Sequence, residues 1–449
     1  MFSMDHARIR GGSIDLPHRE SWHAGDGLEV AGWALGSDSD TSRAEFFVGD
    51  EERASLPLHV RRRDVAAHFP DEPSAEFCGF QGWVPMSPSD SEIRVEIVTR
   101  SGGRIPFGTV FLETGPLQDV SPGVKRSIIV MYHRVANLPS DPWSLAVSPG
   151  HFADQMEVLR RDFMVIPLSR LMEMPLTERL CGDYAAVTFD DGYIDNLSMA
   201  KPILERFEIP ATVFVTTGAL GANVEFWWDE LDRIFLQPGK LPETLCLFVD
   251  GEQFEADLGL AASYGQVEAW RDRSWRFGYR PPGIRQELYA RFWERFYALS
   301  ELSRRQAMDC LRAWSEIPES ARPSHRTLTP AETLQMRVEG LVDIGAHTVS
   351  HPALPRLSVD LQNSEIRECA SFLEQLLGRR PRSFAYPYGA FGETTVPLVR
   401  EAGFREAVTT APGALSQLCD PFCLPRIQVG DWDGDEFAGM LSRVSVHVG

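Results

Sequence analysis

Two adjacent carboxylates, Asp190 and Asp191, end the apolar run AAVTFDD (185–191) and are followed by Gly192. Carboxylates at the end of a buried strand are costly to desolvate unless something uses them. In parallel α/β sheets the carboxyl ends of the strands are where sites form. Mutual repulsion would raise one pKa, whereas a bound cation would keep both groups ionised. A helix N-cap beside a solvent-facing Asp would read the same way, and the pair alone does not decide. His347 and His351 lie in HTVSH, after the apolar run VDIGA. A His–x3–His pair on one helical turn can present both imidazoles to one metal. Two imidazoles and a carboxylate form an open site for a divalent ion. Surface helices carry such pairs by chance, but placement after a strand, beside Asp190-Asp191 in the same chain, favours metal binding.

Two further strand ends carry candidates. Phe384-Ala385-Tyr386-Pro387-Tyr388-Gly389 predicts a tight, rigid loop, which alone would be a turn with packing aromatics. Tyr132-His133-Arg134 closes the strand-like run SIIVMYH (127–133); a lone His there is more often structural than catalytic.

The elements that must position these residues begin at 127. SIIVMYH, AAVTFDD and ATVFVT (211–216) are near-continuous apolar strands, separated by helical patterns such as HFADQMEVLRRD (151–162). Such alternation predicts a parallel sheet covered by helices. Asp195 is placed to N-cap a helix running through Glu205. Residues 221–326 interrupt the rhythm with a Trp- and Arg-rich, helical insertion of the kind that shapes the mouth of a site. The rhythm resumes at the capping box Thr329-Pro330-Ala331-Glu332, from which a helix runs to about Gly340. GLVDIGAHT, RSFAYP and REAVTT predict the remaining strands, with LQNSEIRECASFLEQLLG as a helix. Residues 1–115 differ in pattern: LEVAGWAL (28–35), AEFFVG (44–49), LPLHVR (56–61), IRVEIVT (93–99) and PFGTVFL (106–112) predict a small antiparallel β-sandwich. Residues 116–126 form a linker around Ser121-Pro122-Gly123. The fold expected is α/β, with an N-terminal all-β sandwich followed by a domain over 127–449.

Composition narrows the partners. With 44 Lys+Arg against 64 Asp+Glu the net charge is −20, which argues against nucleic acid, whose binders carry basic patches. Seven scattered cysteines make a poor disulfide framework, and Cys419 with Cys423 lacks the two further soft ligands of a zinc knuckle. No stretch approaches the roughly 18 apolar residues of a membrane span, and the N-terminus lacks a signal peptide's apolar core. The expected location is cytoplasmic.

Together, TFDDG (188–192), HTVSH (347–351) and FAYPYG (384–389) resemble the three signature motifs of the polysaccharide deacetylases, in order and in strand-end placement. That family is also called the NodB-homology family, or carbohydrate esterase family four. The resemblance covers about residues 125–430. MYHRV and WWDEL (227–231) look like a large subgroup with a helical insertion between the first two motifs. Segments of 1–115 (GWAL, RRRDVAAHFP) resemble, loosely, β-sandwich modules attached to glycan-processing enzymes.

The resemblance implies a distorted (β/α) barrel of about seven strands. It implies a divalent metal, usually Zn2+ with Co2+ or Ni2+ also found, on Asp191, His347 and His351. It gives Asp190 the role of general base and the Tyr388 backbone N–H a place in the oxyanion hole. Many relatives carry an Arg where this chain has Ala385, and Arg426 in LPRIQV is the candidate to position Asp190 instead. The late leucine-and-histidine motif is indistinct. His133 is favoured as general acid, with His447 near the chain end as the alternative. Trp227, Trp228 and Tyr386 are candidates to line a sugar cleft, and the two Trp could equally anchor the insertion. The function expected is metal-dependent hydrolysis of an N-acetyl, or O-acetyl, group on a sugar or glycan-biosynthesis intermediate. The rivals are hydrolysis of a non-sugar amide and a degenerate carbohydrate-binding or scaffold protein. The N-terminal domain could bind glycan, a partner or a second copy of the chain.

Overall fold

Alternation of apolar residues builds the N-terminal sheets. The computed structural model describes residues 9–16, 27–36, 41–58, 60, 62, 65, 69, 71–86, 90, 92–111 and 126–444, except 223, 319 and 418. Seven strands form the first part: β1 (Ile9–Leu16), β2 (Gly27–Gly36), β3 (Thr41–Val48), β4 (Glu51–Pro57), β5 (Gly79–Pro85), β6 (Glu92–Thr99) and β7 (Arg104–Phe111). They pair antiparallel in two sheets, β1-β2-β5 and β4-β3-β6-β7. Ile93, Val95 and Ile97 face inward at period two and join Phe46, Phe80, Val84 and Val30 in one core. The sandwich expected over LPLHVR (56–61) differs in one place: the strand runs earlier, over EERASLP, because Ala54 and Leu56 are the inward pair. β1 and the glycine-containing β5 had no clear sequence signal.

Contacts divide the chain into two units, Met1–Gln118 with Trp275–Pro281, and Asp119–Ser274 with Pro282–Gly449. The second unit is built on a curled parallel sheet. Its strands are β8 (Ser127–Tyr132), β9 (Tyr184–Phe189), β10 (Ala211–Val215), β11 (Val342–Ala346), β12 (Ser383–Ala385), β13 (Glu406–Val408) and β14 (Ile427–Gln428). Their order is β13-β12-β11-β10-β9-β8-β14, and a short strand at Met164–Val165 adds to the start of β9. The approach to β14 draws the ends together. Ala407 N–H donates to Pro421 (2.8 Å) and Leu424 N–H to Ala407 (3.0 Å), while β14 pairs with β8. This is a distorted (β/α) barrel of seven strands. Every residue of β8 and β10 is buried, as expected of strands covered on both faces.

Helices close the outside. The helix α1 (Pro149–Asp162) starts at the Ser148 cap and α2 (Trp227–Phe235) opens the insertion. The helices α3 (Ile284–Ala298) and α4 (Glu301–Ser315) end it. Between them lie two antiparallel pairings, Gly239–Lys240 with Ser263–Tyr264 and Thr244–Val249 with Glu252–Asp257, so the insertion is mixed rather than purely helical. The capping box at Thr329 and Glu332 starts α5 (Pro330–Met336), which stops a turn short of Gly340. The helix α6 (Val359–Leu377) buries Gln362, Ile366, Cys369, Ala370 and Leu373 at helical spacing. Asp195 does not cap. It is buried, accepting from Arg134 Nε (3.0 Å), Arg134 Nη2 (2.9 Å) and the Val135 N–H (3.0 Å), because a buried guanidinium demands a carboxylate. Among the described residues no helix is long and apolar enough to cross a membrane.

Candidate active site

Strand β9 delivers Asp190 and Asp191 to the carboxyl-end rim and turns there through left-handed backbone at Asp191 (φ 71) and Gly192 (φ 72). A Cβ on residue 192 would lie 2.8 Å from Val215 Cγ1, so the turn needs glycine. The two neighbours then meet different fates. Asp190 accepts both forks of a fully buried Arg426, Nη1 to Oδ1 at 2.7 Å and Nη2 to Oδ2 at 2.6 Å. Arg426 is itself held by Nε donating to the Thr409 carbonyl (2.8 Å) and Nη1 to Thr188 Oγ1 (3.2 Å). Burial pushes the Asp190 pKa up, and the Arg426 guanidinium outweighs it, leaving the carboxyl below its ordinary range.

Asp191 Oδ1 is buried and makes no hydrogen bond; it lies 3.2 Å from His351 Nε2 and 3.5 Å from His347 Nε2. Burial raises its pKa, and the two imidazoles overcome this and hold it well below the carboxylate range. His347 Nδ1 lies 2.8 Å from the Ala385 carbonyl, which can only accept, so Nδ1 carries the proton and Nε2 is directed at Asp191. His351 has no such anchor: its Nδ1 is buried without a partner. Its ring is packed by Tyr388 (centroids 4.6 Å apart), Trp228 (4.9 Å) and Phe226 (5.9 Å). Burial lowers the His351 pKa, while Asp191 pulls that of His347 up against burial.

HTVSH is not a helical turn. It is a loop with Thr348 (φ 63) and His351 (φ 58) left-handed, held by Glu365. Glu365 Oε2 accepts from the Val349 N–H (2.8 Å) and the Ser350 N–H (2.9 Å), and Oε1 from the Ser350 hydroxyl (2.6 Å). Tyr388 is also left-handed (φ 59, ψ 12), within the short turn Pro387–Gly389. Of nine non-glycine residues with positive φ among the described residues, four (Asp191, Thr348, His351 and Tyr388) therefore sit at this rim. Such backbone costs ~1–3 kcal/mol per residue and concentrates at functional sites.

The other predicted residues are placed as follows. His133 is half-buried directly after β8, close enough to act electrostatically on both Asp190 and Asp191. Trp228 is buried, stacked on Phe226 (4.4 Å, 8°) beside His351, and its Nε1 donates to the Tyr193 hydroxyl (2.9 Å). Trp227 is half-buried and packs on Trp228 and Trp293. Tyr386 is fully buried with its hydroxyl donating to the Phe422 carbonyl (3.0 Å), so its side chain packs rather than facing a cleft. His447 lies outside the described residues. Sequence reading missed Glu365, Phe226 and the rings of Trp293 and Tyr297 against Tyr388. The aromatic run of RQELYARFWERFYALS was visible, but no local pattern says which distant loop it meets.

The donor set fits a divalent ion. One ligand atom each from Asp191, His347 and His351 lie within 4.8 Å of one another, all buried. The orphaned Asp191 oxygen, costly if left unpaired, is the atom a cation would satisfy.

A family model described as polysaccharide deacetylase matches residues 178–239 and 302–407, the two stretches that carry TFDDG, HTVSH and FAYPYG. The Bacillus subtilis (strain 168) protein YxkH, named for the polysaccharide deacetylases, is 28% identical over 102 residues. The match spans 23% of this chain and 36% of that protein. A Streptococcus pyogenes deacetylase, PplD, solved with acetate, is 17% identical with a TM-score of 0.44, covering 72% of this chain and 99% of that one. Protein BA0330 of Bacillus anthracis is 14% identical with a TM-score of 0.43, covering 96% and 99%. Over those two stretches the barrel of this chain is similar to the polysaccharide deacetylases.

Proposed function

We propose that the barrel is a metal-dependent hydrolase that removes an acetyl group, foremost N-acetyl, from a carbohydrate or glycan-biosynthesis intermediate. The observation that carries this reading is the convergence of Asp191, His347 and His351 beside an Arg426-held Asp190. A divalent ion on those three residues, Zn2+ first and Co2+ or Ni2+ as alternatives, would supply Lewis-acid polarisation of the acyl carbonyl.

The chain's own groups account for the rest. Asp190 accepts the proton of the attacking water, and the Arg426 fork keeps it ionised and fixes its direction. The Tyr388 N–H donates to the developing oxyanion, a contact that can contribute ~3 kcal/mol. His133 gives a proton to the leaving amine, with His447 as the alternative donor. Trp228 walls the site beside His351, and Trp227 continues that wall.

The test is acetate release by Zn2+-loaded protein from N-acetylated oligosaccharides, beside O-acetylated sugars and simple acetamides. Release from the oligosaccharides supports the reading. Turnover of acetamides alone would replace it with a non-sugar amidase, and no turnover would favour a binding role.

A further inference from the structure

The two histidines at the rim are held by different means. His347 has a hydrogen bond of its own, from Nδ1 to the Ala385 carbonyl. The His351 Nδ1 has none, so on that side the ring is held by flanking aromatics and by the backbone that carries it. That backbone is left-handed at both Thr348 and His351, a conformation L-residues hold only where the surroundings over-determine it. Strand β10's continuation supplies part of the hold, with the Thr217 N–H donating to Thr348 (3.1 Å) and the Gly218 N–H to Val349 (2.8 Å). The two donors between the left-handed residues, the Val349 and Ser350 N–H groups, converge on one carboxylate oxygen of Glu365. The second oxygen takes the Ser350 hydroxyl.

We propose that Glu365 is a positioning residue for His351 and sets the affinity of the site for its divalent ion; this rests on Asp191, His347 and His351 being ligands. The carboxylate stands on α6 one turn before Cys369, which is fully buried in the helix's inward stripe. Its reach to the loop is therefore fixed by the packing of the helix. Three hydrogen bonds from Glu365 to residues 349 and 350, with the His351 N–H donating to Thr348 Oγ1 (3.1 Å), hold the backbone that leads into residue 351. Without them the loop can relax toward ordinary backbone and carry the imidazole away from Asp191. Groups that orient a metal's ligands change affinity by ~10–100-fold when removed.

The experiment is Zn2+ affinity, by competition with a chromophoric chelator, for the full chain and for Glu365→Ala, Glu365→Gln and Ser350→Ala. Co2+ absorption spectra report the ligand geometry. Glu365→Ala should bind Zn2+ about tenfold or more weakly, with metal-free thermal unfolding nearly unchanged and acetate release restored by excess Zn2+. Glu365→Gln keeps a carbonyl oxygen for the two N–H groups and should retain most of the affinity. Ser350→Ala should lose a smaller part, and these two decide the matter if Glu365→Ala does not fold. Wild-type affinity and spectrum in all three variants would overturn the inference while leaving the metal site standing. A loss that follows metal-free destabilisation and resists excess Zn2+ would mark a merely structural role and overturn it too. Absence of Zn2+ binding by the unaltered chain would overturn the metal reading and this inference with it.

Discussion

The N-terminal sandwich and the rim of the barrel both bury a carboxylate carried by a sheet, and they treat it in opposite ways. In the sandwich, Glu45 on β3 is 2% exposed and takes Arg43 Nε on one oxygen and Arg104 Nε on the other, each at 2.9 Å. Its surroundings satisfy it. At the rim, Asp190 is equally satisfied by Arg426, but Asp191 beside it keeps a buried oxygen with no hydrogen bond, and His351 keeps a buried nitrogen with none. Burial of an unsatisfied polar atom costs ~1–3 kcal/mol, and among the described carboxylates Asp191 alone bears it. The difference locates function in orphaned atoms and left-handed backbone rather than in charge as such.

The sharpest way to break this contrast is to remove one of the proposed metal ligands. His347→Ala should lose bound metal and lower acetate release by ~1,000-fold or more, measured by metal analysis and initial rates. Next comes Arg426→Met. It removes the cation that holds the Asp190 pKa down, so that pKa rises and the acidic limb of kcat/KM moves to higher pH. The rate should fall by ~100-fold, and the strand of charged pairing lost should also cost ~3–5 kcal/mol in denaturant unfolding.

A third carboxylate tests the contrast from within the insertion. Asp229 accepts from the Tyr193 hydroxyl (2.7 Å), and burial, only partly offset by Arg134 and Arg322, lifts its pKa to about 7. The folded state therefore holds this proton between the ordinary 3.8 and about 7, where the unfolded chain releases it. Its contribution to stability falls as pH rises through that window. Asp229→Asn should flatten the decline, read as the difference between the two unfolding free energies across pH. Smallest of all, Glu45→Gln should cost ~1 kcal/mol in stability and leave turnover unchanged. A large loss of activity there would break the comparison.

The fold and the Asp-His-His cluster were legible because the signals are local. The near-continuous apolar runs at 127–133, 185–191 and 211–216 read as strands covered on both faces, and each ends in a polar residue at the same edge. Asp190, Asp191, His347 and His351 stood out through that placement. Arg426 was read as a partner of Asp190, and the structure puts its guanidinium there, 236 residues away along the chain. What stayed illegible depends on tertiary geometry. HTVSH has helical spacing, yet Glu365 and the Thr217–Gly218 backbone capture its N–H and C=O groups and bend it into a loop. Asp195 precedes a helix as a cap would, yet Arg134 claims it. Tyr386 sits in a motif loop, yet its hydroxyl finds a buried carbonyl that no local pattern announces.

The most direct measurement pairs metal content with acetate release for the unaltered chain and Asp190→Asn. The account predicts about one bound divalent ion per chain in both proteins, from the single Asp-His-His cluster among the described residues, with turnover abolished only in the variant. A fully active Asp190→Asn protein, or an active unaltered chain that binds no metal, would contradict it.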